Sequence, residues 1–376
     1  MRIAASRRLD FARLPAKLVL LHLVHRPLRT RPTLKDVARE ASVSLSTVSY
    51  VLNNNSHAER ITEATKQRVK AAVNRLGYQS NPIGSALQRG YTNQVFLLIV
   101  TWDLATSHAA TAMAISRAAI AQGFELTVHV ADDNATAEAF LQRRMLHNSG
   151  GILVLWDSPA MQESYLKLLA AEGVPIVDLL PDSLKGVSVV TADRETAFLD
   201  GTRHLIELGH DCIGVISDSV TRPKTSLRKL AGYRRALEEV RLVYDETLIE
   251  NVTEYGFEGG TSGFRRLHWR CPDVTAVICI NDTMALGAMT AASELGLWCP
   301  ESLSVVGFGD SAVGQYWRPR LTTSALSANQ VAEKSMALVV QQRQNPAQEP
   351  QTILIPEALI VRESTGPARR ARPVMG

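Results

Sequence analysis

A run of hydrogen-bonding side chains between Ser44 and Asn53 has the composition of a surface that binds DNA bases. If the run is helical, Val48, Val51 and Leu52 turn inward, and the other positions present hydroxyl, phenol and amide groups to a major groove. Those positions are Leu45, Ser46, Thr47, Ser49, Tyr50 and Asn53. A helix that only packed would not need such groups, although a solvated helical hairpin explains a stretch this short equally well.

Two short helices that meet at a tight turn are predicted to position these groups. Apolar residues recur at helical spacing within residues 34–41 and again within residues 45–52. Thr33 and Ser44 are the predicted helix caps, and Ser42 stands at a left-handed turn position where glycine is usual. The pattern therefore predicts a helix-turn-helix.

The segment from Thr33 to Asn53 resembles the opening module of the lac repressor (LacI/GalR) family of transcription regulators. A third predicted helix, Thr62–Leu76, follows in family order, Gly77 ends it, and the run Tyr78–Pro82 comes next. The resemblance implies that the residues binding double-stranded DNA are Thr33, Ser44, Leu45, Ser46, Thr47, Ser49, Tyr50, Asn53, His57, Asn81 and Leu87.

The resemblance also implies how bases are contacted. Base-edge contacts are expected chiefly from Leu45, Ser46 and Tyr50, and Tyr50 stands where well-studied members have an arginine that can bind guanine bidentately. Residues 82–93 would form a hinge that folds into a helix in the minor groove, where Leu87 wedges between base pairs. An ordinary linker contact is the alternative for Leu87.

The distribution of charge favours a DNA-binding head. The chain has 376 residues, of which 45% are hydrophobic and 21% charged, and its formal net charge is only +4. Basic residues are in excess between residues 35 and 89, whereas the remainder is nearly neutral, which suits a head that binds a phosphate backbone. The four cysteines show no CxxC spacing. We therefore expect free thiols in a reducing, cytoplasmic compartment, with no metal site and no cofactor.

Residues 1–32 form an Arg-rich extension that superficially resembles a signal peptide. Its apolar run, Leu18–Val24, is short, contains His22 and lacks a small-residue cleavage site. We interpret the extension as a basic arm or an upstream misread start. No apolar run reaches the roughly 18 residues that a membrane span needs.

From Gln94 onward, apolar runs of strand length alternate with amphipathic helical stretches. The predicted strands are residues 95–101, 125–131, 151–156, 175–180, 187–191, 212–217, 276–280 and 303–307, and the clearest helices are residues 136–147, 197–208, 227–240 and 284–295. This alternation predicts parallel sheets covered on both faces, and about 270 residues require two such units. The predicted fold is an all-α helix-turn-helix head followed, over residues 94–365, by an α/β periplasmic-binding-protein-like effector domain of two doubly wound lobes.

The resemblance continues to Thr365 and implies a small-molecule site between the two lobes. Its predicted residues are Asp103, His108, Asp193, Lys229, Tyr255, Asn281 and Asp282. Lys229 replaces a common arginine, and Gly309 precedes Asp310 where the family usually has two adjacent acids. A sugar or related metabolite is expected, but not in a standard hexose site.

Several of these residues have structural alternatives. Asp282 could only cap the following helix, and Tyr255 could belong to lobe packing. Trp102, Trp156 and Trp317 could line the cleft or pack at strand ends, and His210 is expected to make a structural hydrogen bond.

The predicted function is a dimeric, ligand-responsive repressor that binds a near-palindromic operator in the nucleoid. Residues 366–376 lack a heptad pattern, so we expect a flexible tail and a homodimer rather than a tetramer. An enzyme is disfavoured because no GxGxxG follows a strand and no GxxxxGK[ST] occurs. The remaining alternative is a periplasmic-type solute-binding protein without a DNA function.

Overall fold

The computed structural model describes residues 32–52, 60–78, 86, 90–100, 106–156, 163–180, 186–218, 223–254 and 256–369. The chain divides into two compact units, Met1–Gln88 and Arg89–Gly376. The first contains the head, and the second contains two lobes that are each built on a six-stranded sheet.

The described residues of the head form helices α1 (Leu34–Ala41), α2 (Leu45–Leu52) and α3 (Glu63–Leu76). A small apolar core joins them, in which Val37, Val48 and Val69 are fully buried. Thr62 caps α3 and Gly77 ends it in the left-handed conformation, as predicted. The helix-turn-helix is therefore a packed unit with its own core.

The turn between α1 and α2 contains a strained residue. Ser42 has φ 51° and ψ 51°, so a side chain with a Cβ occupies the left-handed region, as the sequence predicted. Its amide donates to the carbonyl oxygen of Arg39, and the amide of Val43 donates to that of Ala38, which fixes the turn.

Ser42→Gly should stabilise the head by up to about 1 kcal/mol, because glycine enters this conformation without a Cβ penalty. Amide hydrogen exchange in α1 and α2 of the full chain should become slower. Ser44→Ala is the matched control, since losing an N-cap should speed exchange by a comparable free energy, about 1 kcal/mol. Equal or faster exchange in Ser42→Gly would contradict the strain.

Lobe 1 begins with alternating strands and helices. The elements are β1 (Gln94–Val100), α4 (Thr106–Ala121), β2 (Glu125–Ala131), α5 (Asn134–Leu141), β3 (Gly151–Trp156), α6 (Glu163–Ala171), β4 (Ile176–Asp178) and β5 (Ser188–Ala192). Their strands pair in parallel. Six of the seven β1 residues are buried because apolar clusters cover both faces of the sheet.

Lobe 2 repeats the arrangement. The elements are α7 (Arg194–Glu207), β6 (Ile213–Ser217), α8 (Pro223–Glu239), β7 (Ile249–Asn251), α9 (Phe257–Arg270), β8 (Ala276–Cys279), α10 (Asp282–Glu294), β9 (Ser304–Phe308), α11 (Ala312–Tyr316) and β10 (Thr322–Leu326). One large apolar cluster, which includes Phe198, Tyr233 and Phe264, fills the space between sheet and helices.

The chain then returns to both lobes. Helix α12 (Ala328–Gln344) and strand β11 (Thr352–Ile355) join lobe 1, and β12 (Glu357–Ile360) joins lobe 2. The strand orders are β11-β5-β4-β3-β1-β2 and β12-β10-β9-β8-β6-β7, with only the β12–β10 pair antiparallel. Three crossings, at Asp193, Ser327 and Pro356, therefore link the carboxyl edges of the two parallel sheets.

The eight predicted strands are all present, with ends that shift by at most two residues. The helix predicted over residues 136–147 was too long, because α5 ends at Leu141 and a separate 3-10 turn covers Arg144–Leu146. Strands β7, β10, β11 and β12 were missed. β7 has three residues and β10 is Thr- and Ser-rich, so neither shows the apolar run on which the prediction depended.

His210 has the structural role that was predicted. Its Nδ1 lies 2.9 Å from Thr275 Oγ1, and its Nε2 lies 2.9 Å from Ser304 Oγ and 3.0 Å from the carbonyl oxygen of Gly366. Burial lowers the pKa of His210. Residues 366–369 are thereby held against lobe 2, although a flexible tail was predicted from residue 366; residues 370–376 lie outside the described residues.

Candidate functional site

Helix α2 presents its first turn to solvent from a fixed start. The amide of Thr47 donates to Ser44 Oγ over 3.0 Å, and the hydroxyl oxygens of the two residues lie 2.8 Å apart. The Ser44 hydroxyl therefore caps the helix, and the Thr47 hydroxyl is hydrogen-bonded to it. Leu45, which is 44% exposed, and Ser46 project freely, whereas Tyr50 is half-buried. A recognition helix contacts base edges in the major groove with its N-terminal residues, so the exposed first turn of α2 suits that role.

The start of α1 carries a reciprocal arrangement of charge and hydroxyl. The Asp36 carboxylate accepts from the Thr33 amide over 2.9 Å and from Thr33 Oγ1 over 2.7 Å. These bonds lower the pKa of Asp36. Lys35 is exposed and makes no ion pair within the described head, so its ammonium is available to a phosphate, whereas Arg39 lies 3.3 Å from Asp36.

The second candidate site lies where the two sheets face each other. Asp178 ends β4, and Asp193, Asp218 and Asn281 follow β5, β6 and β8. Carboxyl ends of parallel strands are the usual ligand-binding edge of such sheets, and here the crossings bring two of these edges together.

Lys229 of α8 is a buried cation at this edge, only 6% exposed. Its Nζ donates to the carbonyl oxygen of Ile280 over 2.5 Å and lies 3.9 Å from the centroid of the Phe308 ring. The ammonium is therefore held between the end of β8 and the end of β9 by a hydrogen bond and a cation–π contact.

Asn281, and not Asp282, caps helix α10. The N-cap of α10 is Asn281, whose Oδ1 accepts from the Met284 amide over 2.7 Å, so the cap-only interpretation of Asp282 was wrong. Asp282 is 2% exposed and accepts from Thr323 Oγ1 and from the Ser311 amide. Burial raises the pKa of Asp282, and these two bonds oppose the rise.

Charged groups surround the first and third crossings. Asp193 caps α7 by accepting from the Thr196 amide over 3.2 Å and its hydroxyl over 2.8 Å, and Arg194 Nη1 donates to Thr191 Oγ1 over 3.0 Å. Glu357, the first residue of β12, pairs in register with Leu326. Burial raises the pKa of the Glu357 carboxyl, while the positive charges of Arg194 and Lys229 oppose the rise.

Several predicted residues are placed elsewhere or lie outside the described residues. Those outside are Asn53, His57, Asn81, Leu87, Asp103 and Tyr255, and also Trp102.

His108 lies in the first turn of α4, at the carboxyl end of β1. Trp156 does not line a cleft, because it is 1% exposed and its Nε1 donates to Asn134 Oδ1 over 3.1 Å. Asp310 is paired with Arg362.

Sequence reasoning missed Arg194, Ser324 and Glu357 at the lobe crossings. The sequence signal for these residues was weak, since Glu357 is a single acid that follows Pro356 and begins a strand of only four residues. Only the pairing of β12 with β10 brings Glu357 to the same edge as Ser324.

Two family descriptions match the chain. "Bacterial regulatory proteins, lacI family" matches residues 33–81, and "Periplasmic binding protein-like domain" matches residues 202–365. The HTH-type transcriptional repressor PurR of Yersinia enterocolitica serotype O:8 / biotype 1B is 31% identical over 350 residues, which are 90% of this chain and 99% of that protein. Catabolite control protein A of Priestia megaterium is 29% identical over 337 residues, covering 89% of this chain and 99% of that protein.

Solved structures share the same fold over nearly the whole chain. A complex of the transcriptional regulator CelR with cellobiose has a TM-score of 0.66 at 28% identity and covers 89% of this chain and 100% of that one. The lac repressor dimer bound to operator and an anti-inducer has a TM-score of 0.69 at 24% identity and covers 90% of this chain and 100% of that one. No helix among the described residues is both long and apolar enough to cross a bilayer.

Proposed function

The chain belongs to the lacI family of bacterial regulatory proteins, and we propose that it is a repressor whose operator binding is controlled by a small molecule held between lobes 1 and 2. The observation that carries the proposal is the capped helix-turn-helix of residues 34–52 within the matched segment 33–81. We propose that it acts by binding rather than by catalysis, in the cytoplasm and on the nucleoid.

We assign residues 33–81 to the DNA-binding domain, residues 82–93 to the hinge and residues 94–365 to effector binding and dimerisation. Two copies would place their α2 helices in successive major grooves of a near-palindromic operator, about one helical turn apart. Light scattering should give a dimer, and a tetramer would contradict the assignment.

The effector is proposed to act through the three crossings between the lobes. A ligand that binds both carboxyl edges favours one relative orientation of the lobes, and linkage converts that preference into a change in operator affinity, typically about 1–3 kcal/mol. The CelR structure contains cellobiose and the lac repressor structure contains an anti-inducer, which supports a small-molecule effector for this chain. The proposed contacts are Asp103, His108, Asp193, Lys229, Tyr255, Asn281 and Asp282.

Selection from a random DNA pool tests the function directly. Purified protein should enrich a two-fold symmetric site and bind it much more tightly than random DNA. A protein that enriched no sequence, with or without candidate metabolites, would refute the proposal. A solute-binding protein without a DNA function would give that negative result, whereas a chain with a DNA-binding head should enrich a site.

Two substitutions separate base reading from phosphate contact. Tyr50→Ala should relax sequence choice at one position of each half-site. Lys35→Ala should weaken binding to selected and random DNA about equally, and the slope of log affinity against log salt concentration should fall by about one unit. Affinities of both variants for both DNAs at several salt concentrations measure this. If both variants lost affinity equally on specific and random DNA, Tyr50 would not be a base-reading residue.

A further inference from the structure

Buried polar atoms without hydrogen-bond partners collect at the carboxyl edge of lobe 2. Among the described residues they include Ser217 Oγ at the end of β6, Asn281 Nδ2 just after β8, Ser324 Oγ on β10 and Glu357 Oε2 at the start of β12. The Ser324 hydroxyl lies close enough to Glu357 to lower the pKa of its carboxyl, but neither atom makes a well-formed hydrogen bond within the protein. Folded proteins pair nearly all such atoms, and each exception requires an explanation. Their concentration at the ligand-binding edge indicates that a bound molecule completes these hydrogen bonds.

We propose that Ser324 and Glu357 form a subsite of the effector pocket for an uncharged, hydroxyl-bearing part of the ligand. This inference rests on the proposed function, since it concerns the same interlobe site. It adds two residues from β10 and β12 to a site that otherwise draws on the ends of β5, β6 and β8.

Charge complementarity decides the chemical class of the ligand. Lys229 and Arg194 are the cations that act on the Glu357 carboxylate, and Asp193 is the further acid that acts on it. Lys229 already donates to Ile280 and lies over Phe308, while Arg194 donates to Thr191. The positive charges of Lys229 and Arg194 are matched by the negative charges of Glu357 and Asp193, and a ligand carboxylate or phosphate would face the Glu357 carboxylate without a new positive partner.

The hydrogen-bonding capacity of the subsite points the same way. A carboxylate oxygen only accepts, an amide nitrogen only donates, and a serine hydroxyl does both. A ligand hydroxyl can donate to Glu357, and a neighbouring ligand oxygen can accept from Asn281 or Ser324. Uncharged sugars, polyols and nucleosides carry such groups, whereas a hydrocarbon would leave the buried atoms unpaired.

Glu250 provides a matched control within the same lobe. Glu250 is buried, 6% exposed, whereas Glu357 is half-buried, and both carboxylate oxygens of Glu250 are paired, with Arg266 Nε at 2.6 Å and Arg270 Nη1 at 2.8 Å. Glu250 therefore has a structural role, and its replacement should affect stability rather than ligand binding.

Ligand binding to the full chain tests the subsite. Wild type, Glu357→Gln, Ser324→Ala and Glu250→Gln are titrated with neutral sugars, polyols and nucleosides, and with the uronic acid and the phosphate ester of each sugar. At least one neutral compound should stabilise wild type against heat, and its charged counterpart should not. Glu357→Gln should bind that compound about 10- to 100-fold more weakly, whereas Glu250→Gln should keep its affinity.

A second measurement needs no ligand. Without ligand, Glu250→Gln should lower the melting temperature because two ion pairs are lost, whereas Glu357→Gln should leave it unchanged or raise it by a few degrees. Operator binding by wild type checks the proposed function separately. With operator binding intact, three results would each overturn the subsite. The first is that wild type responds to no neutral compound, or only to anionic ones. The second is that Glu357→Gln binds the compound as tightly as wild type does. The third is that Glu357→Gln loses as much stability as Glu250→Gln.

Discussion

Val48→Asp should abolish specific operator binding, with a loss of at least about 100-fold, because a charged group would be buried at the centre of α2. Val48 is fully buried and belongs to the core that joins α1, α2 and α3. Among the described residues, that core includes six buried apolar side chains, which is too small a core to offset the cost of a buried carboxylate. Fluorescence anisotropy with the selected operator measures the affinity.

The same variant should leave the lobes folded. The head and the lobes are separate compact units, so the main thermal transition should remain at the wild-type temperature. Asn74→Asp is the control, since it adds the same charge at an exposed position of α3 and should reduce affinity only modestly. A Val48→Asp protein that bound operator as well as Asn74→Asp would show that α2 is not the reading helix.

Gly287→Ala should destabilise lobe 2 by several kcal/mol although alanine is the better helix former. A Cβ at Gly287 of α10 would lie 2.1 Å from the carbonyl oxygen of Phe257 at the start of α9, so the two helices would have to separate. Helix packing at this distance admits only glycine, and overpacking of a well-filled core typically costs about 1–3 kcal/mol or more. Thermal unfolding should show a melting temperature lowered by several degrees or more.

Gly201→Ala distinguishes this clash from a general sensitivity of helical glycines. Gly201 lies in α7 of the same lobe, but a Cβ there would meet the side-chain tip of Ile278 at 3.1 Å, which can move. The gain in helix propensity, about 1 kcal/mol, should roughly offset that contact. If the two variants melted at the same temperature, close approach of α9 and α10 would not limit stability.

The lobes could be predicted from the sequence because their strands are runs of Val, Ile and Leu buried on both faces. The head could be predicted because caps and turn lie at fixed positions around two apolar stripes, and Ser42 adopted the left-handed conformation that its position required. These signals are local. Strands β11 and β12 carry a weaker signal, since each has only four residues and their places depend on pairing with β5 and β10 across more than 30 residues.

The effector site was only partly predictable for the same reason. Lys229 and Asn281 follow from family resemblance, but their partners do not, because Ile280 and Phe308 come from separate strands. Glu357 was not predicted at all. Its position beside Arg194 and Lys229 depends on β12 reversing direction after the last crossing.

The return of α12 and β11 to lobe 1 has a consequence for synthesis at the ribosome. Lobe 1 begins at β1, yet one face of its sheet is covered by Val331, Met336 and Val339, and its edge is completed by β11. Once Leu326 has emerged, lobe 2 still lacks β12 and the residues up to 369 that follow it. The part of the chain made first therefore stays incomplete until almost the whole chain has emerged, and a nascent chain cut short after β10 would expose the apolar face of lobe 1 to chaperones and proteases.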